Sequence, residues 1–250
     1  MVRVAERAVV TDAGQGADHL EDFTRYRFAC NFVSGKKVLD VACGSGYGSA
    51  LLFQEGGATC VMGVDASWEA LKAARRFLAP GSVEFVLSDA GQLPFCDGGF
   101  DVIVSMETLE HLYHPEAFLR ELGRLLCAGG TAIISTPLNN SETRLQPVNP
   151  YHCREYSAGE FLDLLHCVFR EAEVFSQLSE YDYDPLWAPL ERVRSRSWAR
   201  QMAASCLPPA LRRGLRNAMG SKGRQLAASR IIPGYNDGAA YQVAVCSQTR

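Results

Sequence analysis

The run Val38-Leu39-Asp40-Val41-Ala42-Cys43-Gly44-Ser45-Gly46-Tyr47-Gly48 is the feature that most narrows what this chain can fold into. It reads as an apolar strand entering a glycine-rich turn. Glycines at 44, 46 and 48 permit positive φ and let backbone N–H groups approach a ligand without an intervening Cβ. Such a turn also occurs for purely structural reasons. Asp65 supplies the second sign, because it ends the next apolar run, Val61-Met62-Gly63-Val64. A carboxylate after the second strand of an open α/β sheet is placed to accept hydrogen bonds from ribose hydroxyls.

Apolar runs and helical patterns alternate along most of the chain. Strands are expected at 37–42, 59–64, 83–87, 101–106 and 131–135, with helices near 46–55, 67–79 and 115–127. Pro115 suits a first helical turn, and Cys127-Ala128-Gly129-Gly130 closes that helix. An N-terminal helix is expected over 19–32. Ser157 followed by Glu160 forms a capping box that opens a helix over 157–168. Two further strands, 171–177 and 240–247, complete the pattern. The fold class is therefore α/β, a doubly wound and mainly parallel sheet whose ligands sit beyond the strand carboxyl ends. Residues 1–17 lack periodicity and read as a flexible N-terminal segment. The remainder, 18–250, reads as one domain with a long insertion over 179–239, before the last strand.

Composition sets outer bounds. A chain of 250 residues that is 47% hydrophobic and 21% charged is ordinary for a soluble globular protein. Its net charge of −3 creates no global field that calls for nucleic acid or an anionic membrane. Nine cysteines are scattered without a CxxC pair, which argues against a disulfide framework or zinc knuckle and fits a reducing cytoplasm. The first fifteen residues are broken by Arg3, Glu6, Arg7 and Asp12, so no signal peptide is expected. No apolar run is long enough to span a bilayer, which leaves at most peripheral membrane contact.

VLDVACGSGYG, the acidic VMGVDAS, SDAGQLPF, FDVIVSMETLEHL and LLCAGGTAIISTP occur in this order over about residues 20–178. Together they resemble the class I S-adenosylmethionine-dependent methyltransferases. The resemblance implies a seven-stranded Rossmann-like sheet and S-adenosylmethionine as cofactor. It implies that Asp40 and the backbone of Gly44, Ser45 and Gly46 hold the methionine part, that Asp65 binds the ribose, and that Ala66 is among the cofactor-binding residues. Asp89, with the N–H of Ala90, would face adenine, and Ser105 and Met106 would line the floor. Arg25-Tyr26 is similar to the N-terminal helix of sugar-modifying relatives, where the arginine would pair with the cofactor carboxylate. The glycine turn lacks the further phosphate-binding spacing of a dinucleotide fingerprint, so a dehydrogenase is the weaker reading.

Glu107-Thr108-Leu109-Glu110-His111 follows the fourth strand, where the reacting substrate should lie. Glu107 and Glu110 are three apart, so a helical turn would put both on one face with His111 adjacent. His152, in Asn149-Pro150-Tyr151-His152-Cys153-Arg154-Glu155-Tyr156, is a fourth candidate. Glu107, Glu110, His111 and His152 offer oxygen and nitrogen donors for Mg²⁺ or Mn²⁺. The pattern resembles the small-RNA 3′-terminal 2′-O-methyltransferases and, in its Glu-x-x-Glu-His part, the ubiquinone-pathway catechol O-methyltransferases. Both groups act on vicinal hydroxyls. Three roles stand open at this point: metal ligands, a catalytic set in which His111 is a metal-free base with Glu107 and His152, and a packing role.

The 179–239 segment opens with Tyr181, Tyr183 and Trp187 and then turns basic. Ten Lys or Arg residues fall between 192 and 230. Leu207, Leu211, Leu215 and Met219 form an apolar stripe opposite Arg212, Arg213 and Arg216, so a mainly helical substrate or lid segment is expected. The expected activity is O-methylation of a sugar, glycan or other small hydroxylated metabolite, in a polysaccharide or natural-product pathway. An RNA 3′-terminal ribose 2′-O-methyltransferase ranks behind it, since no separate RNA-binding module is present. A non-catalytic cofactor-binding protein of the same fold is the third reading.

Overall fold

The computed structural model describes residues 17–77, 83–140, 147, 149–182, 225–236 and 239–247. Helix α1 (Ala17–Ala29) leads through a short 3-10 turn into β1 (Lys37–Val41), followed by α2 (Tyr47–Gln54) and β2 (Cys60–Asp65). Then come α3 (Trp68–Phe77), β3 (Glu84–Leu87), β4 (Phe100–Ser105), α4 (Pro115–Leu125) and β5 (Leu126–Pro137). Helix α5 (Ala158–His166) precedes β6 (Glu171–Asp182), β7 (Gln225–Pro233) and β8 (Tyr241–Ser247).

The strands form one sheet in the order β3-β2-β1-β4-β5-β8-β6-β7. Strands β3, β2, β1, β4 and β5 pair in parallel. Strand β8 runs antiparallel to both β5 and β6. Among the described residues the count is eight, not the seven expected. The difference lies in the insertion: its described end, 225–233, is not helical but an edge strand paired antiparallel with β6. The apolar stripe and arginines of 207–219, with Tyr183 and Trp187, lie outside the described residues, as does most of the 1–17 segment.

Burial explains why the sheet is covered on both sides. Leu39 and Val41 of β1 pack with Phe118, Leu119 and Leu122 of α4 and with Phe161 and Leu165 of α5. Val38 of the same strand packs in a second core with Tyr26, Leu52, Leu71 and Ala74, from α1, α2 and α3. Alternate residues of one strand thus feed opposite cores, which is the period of a pleated strand. The order reverses direction between β1 and β4, and this is where open α/β sheets take their ligands.

Both central strands end in unusual backbone. Ala42, just past β1, has φ 62°, and Glu107, just past β4, has φ 50°. Left-handed geometry at a residue with a Cβ costs roughly 1–2 kcal/mol and persists only where its surroundings impose it. Here the two residues flank the same crevice. Two of the sequence-level boundaries also move: α4 ends at Leu125, and β5 already begins at Leu126, so the Cys127–Gly130 segment is strand instead of helix cap. The capping box at α5 is present in full, with Ser157 accepting from Glu160 N and Glu160 accepting from Ser157 N.

Candidate active site

The glycine turn divides its labour among its three glycines. A Cβ on Gly48 would come within 2.1 Å of the Tyr26 ring, and one on Gly46 within 2.7 Å of Phe85. Those two glycines exist so that α1 and β3 can close on the turn. Gly44 is different: its φ is 56°, and a Cβ there would meet nothing within 4 Å. Only Gly44 therefore has the open, left-handed geometry that suits a ligand against the backbone.

Asp40 and Tyr26 support the turn from beneath. Asp40 is fully buried; it accepts from Tyr26 Oη at 3.1 Å and from Ser49 Oγ at 2.6 Å. Burial pushes its carboxyl up to about 6, although both hydroxyls pull the other way. Asp65 is also buried, and accepts from Gly44 N at 2.9 Å and from Ser67 N at 2.7 Å. It thereby fixes the turn to the end of β2. Each carboxylate oxygen has two lone pairs, so these bonds leave acceptor capacity toward ribose hydroxyls. Asp89 is half-buried after β3 and accepts from Gly91 N at 2.8 Å, beside half-buried Ala90. Ser45 is half-buried, Ala66 exposed and Met106 buried.

Arg25 is almost wholly enclosed, at 1% exposure. Its Nη1 donates to Gln177 Oε1 at 2.7 Å, its Nη2 donates to Asp22, and its guanidinium lies 4.2 Å from the centre of the Tyr241 ring. Nε is buried, makes no hydrogen bond, and sits 3.8 Å from Glu107 Oε1. An open left-handed glycine, a carboxylate at the end of β2 and a buried guanidinium nitrogen without a bond fit a cofactor that carries a ribose and an amino-acid carboxylate.

After β4 the chain makes a 3-10 turn, Leu109–His111. Glu107 and Glu110 do not share a site. Ser135 Oγ donates to Glu107 Oε1 at 2.6 Å, which holds that side chain toward Arg25. Glu110, 1% exposed, instead accepts from Thr136 Oγ1 at 3.0 Å. The left-handed step at Glu107 turns the two side chains apart, so the helical face expected for them does not form. Both carboxyls are pushed above the usual carboxylate range by burial. Arg25 opposes the rise at Glu107, while Glu107 adds to it at Glu110.

His111 and His152 meet with ring centres 4.9 Å apart, edge to face. His111 Nδ1 lies 3.1 Å from the Tyr151 carbonyl. That contact needs a proton on Nδ1, which makes Nε2 the basic nitrogen in the neutral ring. Nε2 is 3.9 Å from Glu110 Oε1. His152 is held on both sides, by Glu155 Oε1 at 3.0 Å from Nδ1 and by Asn149 Nδ2 at 2.9 Å from Nε2. Ligand atoms of Glu110, His111 and His152 all lie within 4.8 Å of one another. Glu107 is outside that group. One carboxylate and two imidazoles form a donor set that suits a borderline divalent ion.

Residues 39–134 match the family described as a methyltransferase domain. The chain carries a class I S-adenosylmethionine-dependent methyltransferase domain. A probable S-adenosylmethionine-dependent methyltransferase of Mycolicibacterium smegmatis is 35% identical over 150 residues, covering 59% of this chain and 57% of that protein. Tocopherol O-methyltransferase of Arabidopsis thaliana is 39% identical over 120 residues, covering 45% of this chain and 34% of that protein. The chain spans about half the length of these curated relatives. A crystal structure from Thermotoga maritima, titled a possible histamine N-methyltransferase, superposes with TM-score 0.60 at 18% identity, over 92% of this chain and 91% of that one. At that identity the likeness shows the fold. The similar proteins thus include O- and N-methyltransferases, so the likeness does not fix the acceptor. Among the described residues, no helix is long and apolar enough to cross a membrane.

Residues that the sequence reading missed complete the picture. Ser135 and Thr136 orient the two glutamates, Asn149 and Glu155 lock His152, and Gln177 and Tyr241 hold Arg25. Ser135 and Thr136 had a visible signal, since they are polar residues at the carboxyl end of an otherwise apolar strand. Gln177 and Tyr241 had none, because they reach Arg25 only through the pairing of β6 with β8.

Proposed function

We propose that this protein is an S-adenosylmethionine-dependent O-methyltransferase that methylates a hydroxyl of a sugar, glycan or other small hydroxylated metabolite. The observation that supports it most is the His111 imidazole, whose Nδ1 contact with the Tyr151 carbonyl makes Nε2 the proton-accepting nitrogen at the carboxyl edge of β4. S-adenosylmethionine supplies an electrophilic methyl on a sulfonium. The protein's part is to orient the acceptor oxygen in line with that methyl and to take its proton. Gly44 holds the methionine part, Asp65 and Asp89 hold the ribose and adenine ends, Arg25 Nε faces the carboxylate end, and His111 receives the hydroxyl proton.

A second reading rests on the convergence of Glu110, His111 and His152 within 4.8 Å. A divalent cation held there would lower the pKa of a vicinal diol. A cation that uses His152 Nε2 displaces the Asn149 amide. Turnover that is abolished by EDTA and restored by Mg²⁺ or Mn²⁺ selects this reading; turnover indifferent to EDTA selects His111 as a metal-free base.

The test is methyl transfer from labelled S-adenosylmethionine to methyl glycosides, catechol and ribose-terminated RNA oligomers side by side. A methyl ether on a glycoside is the expected product. Methylation confined to RNA 3′ ends, or a product methylated on nitrogen or carbon, contradicts the proposal.

A further inference from the structure

A cleft of about 380 Å³ opens beside the two histidines, between the turn that precedes α4 and the 149–156 loop. Its size is that of a small-molecule site. Tyr113 and Tyr151 stand on its two sides, and both are exposed, at 67% and 42%. Glu116 and Arg154 line it, and the Arg154 guanidinium lies 5.3 Å from the centre of the Tyr156 ring. Tyr156 also lines the cleft, is 2% exposed, and its Oη makes no hydrogen bond.

A buried hydroxyl without a partner is a standing cost to the fold. Phenylalanine would fill the same volume without that cost, so packing does not account for the oxygen. Two exposed tyrosines, a carboxylate and a guanidinium lining one cleft match a ring that has apolar C–H faces and hydroxylated edges. A flat phenolic acceptor would instead favour an apolar slot.

We propose that this cleft is the acceptor subsite and that Tyr156 selects a polyhydroxylated ring, its Oη bonding a hydroxyl other than the one methylated. The inference rests on the hydroxyl methylation proposed above. A site built to bond a hydroxyl rejects analogues that lack it, because its own polar group is then left unpaired. Tyr156 is in these terms a specificity-determining residue, and His111, which lines the same cleft, meets the reacting oxygen.

The test compares wild type with Tyr156→Phe, using methyl glycosides of glucose, galactose, mannose and rhamnose and the monodeoxy analogues of whichever is methylated. Tyr156→Phe is expected to raise KM for the glycoside about tenfold, with kcat changed less than about threefold. Its thermal midpoint should be equal to or above that of wild type. One monodeoxy analogue should lose about tenfold with wild type and nothing further with the variant. Should the variant fail to fold, Tyr113→Ala, at an exposed position, is expected to raise the same KM by a similar factor. A glycoside methylated with unchanged KM in these variants overturns the subsite and leaves the hydroxyl reading standing. Wild type that methylates no glycoside but does methylate catechol overturns the polyhydroxylated-ring selection and leaves methyl transfer to oxygen intact.

Discussion

Arg25 Nε lies 3.8 Å from Glu107 Oε1, and this ion pair ties the first helix to the left-handed turn that ends β4. The same guanidinium reaches β6 through Gln177 and β8 through the Tyr241 ring. One buried side chain therefore joins four elements around the crevice. Arg25→Met removes a cation from partly enclosed carboxylates and is expected to destabilise the fold by about 3 kcal/mol, read by urea denaturation. Arg25→Lys should rescue little, since an ammonium does not reproduce the planar fork to Gln177 and Asp22.

The three glycines of the turn predict different failures. Gly48→Ala drives a Cβ into the Tyr26 ring and should lower stability by about 1–3 kcal/mol. Gly44→Ala meets no neighbour, so its stability cost is only that of the left-handed backbone, about 1–2 kcal/mol. Its affinity for S-adenosylhomocysteine, measured by calorimetry on the folded variant, should fall at least about tenfold, because the new methyl projects into the open side of the turn.

Asp40 predicts a pH dependence with a definite sign. Its carboxyl stands at about 6 in the folded protein against an ordinary value of 3.8. Between those values the folded state binds more protons than the unfolded state, so this group's contribution to stability falls as pH rises and levels off above about 6. Asp40→Asn removes that dependence. The stability of the variant relative to wild type should therefore rise by about 2 kcal/mol between about pH 4.5 and about pH 7.5. A relative stability that is flat across this range, in chemical denaturation at the two pH values, contradicts the assignment.

The sheet was legible because buried parallel strands leave long apolar runs, and because Gly44 to Gly48 and Asp65 punctuate them at the right places. The seventh strand in the sequence, 225–233, was hidden: its run Gln225-Leu226-Ala227-Ala228-Ser229 carries no β-branched residue, and its partner β6 is more than forty residues away. Side-chain direction was equally hidden. The spacing of Glu107 and Glu110 would align them on a helix, but a single residue at φ 50° sends one toward Arg25 and the other toward Thr136. His111 and His152 were both recognisable as chemistry-bearing residues. Their edge-to-face contact and the carbonyl of Tyr151 that sets the His111 tautomer are products of the loop after β5, and no local pattern encodes that loop's path.

In the proposed O-methylation, His111 takes the proton of the acceptor hydroxyl. The direct measurement is kcat for His111→Ala with a methylated glycoside, alongside its affinity for S-adenosylhomocysteine. A loss in kcat of about a hundredfold or more is expected, with cofactor affinity within about twofold of wild type. A kcat that stays within about threefold of wild type would show that the imidazole does not handle the proton, and the assignment of His111 would be wrong.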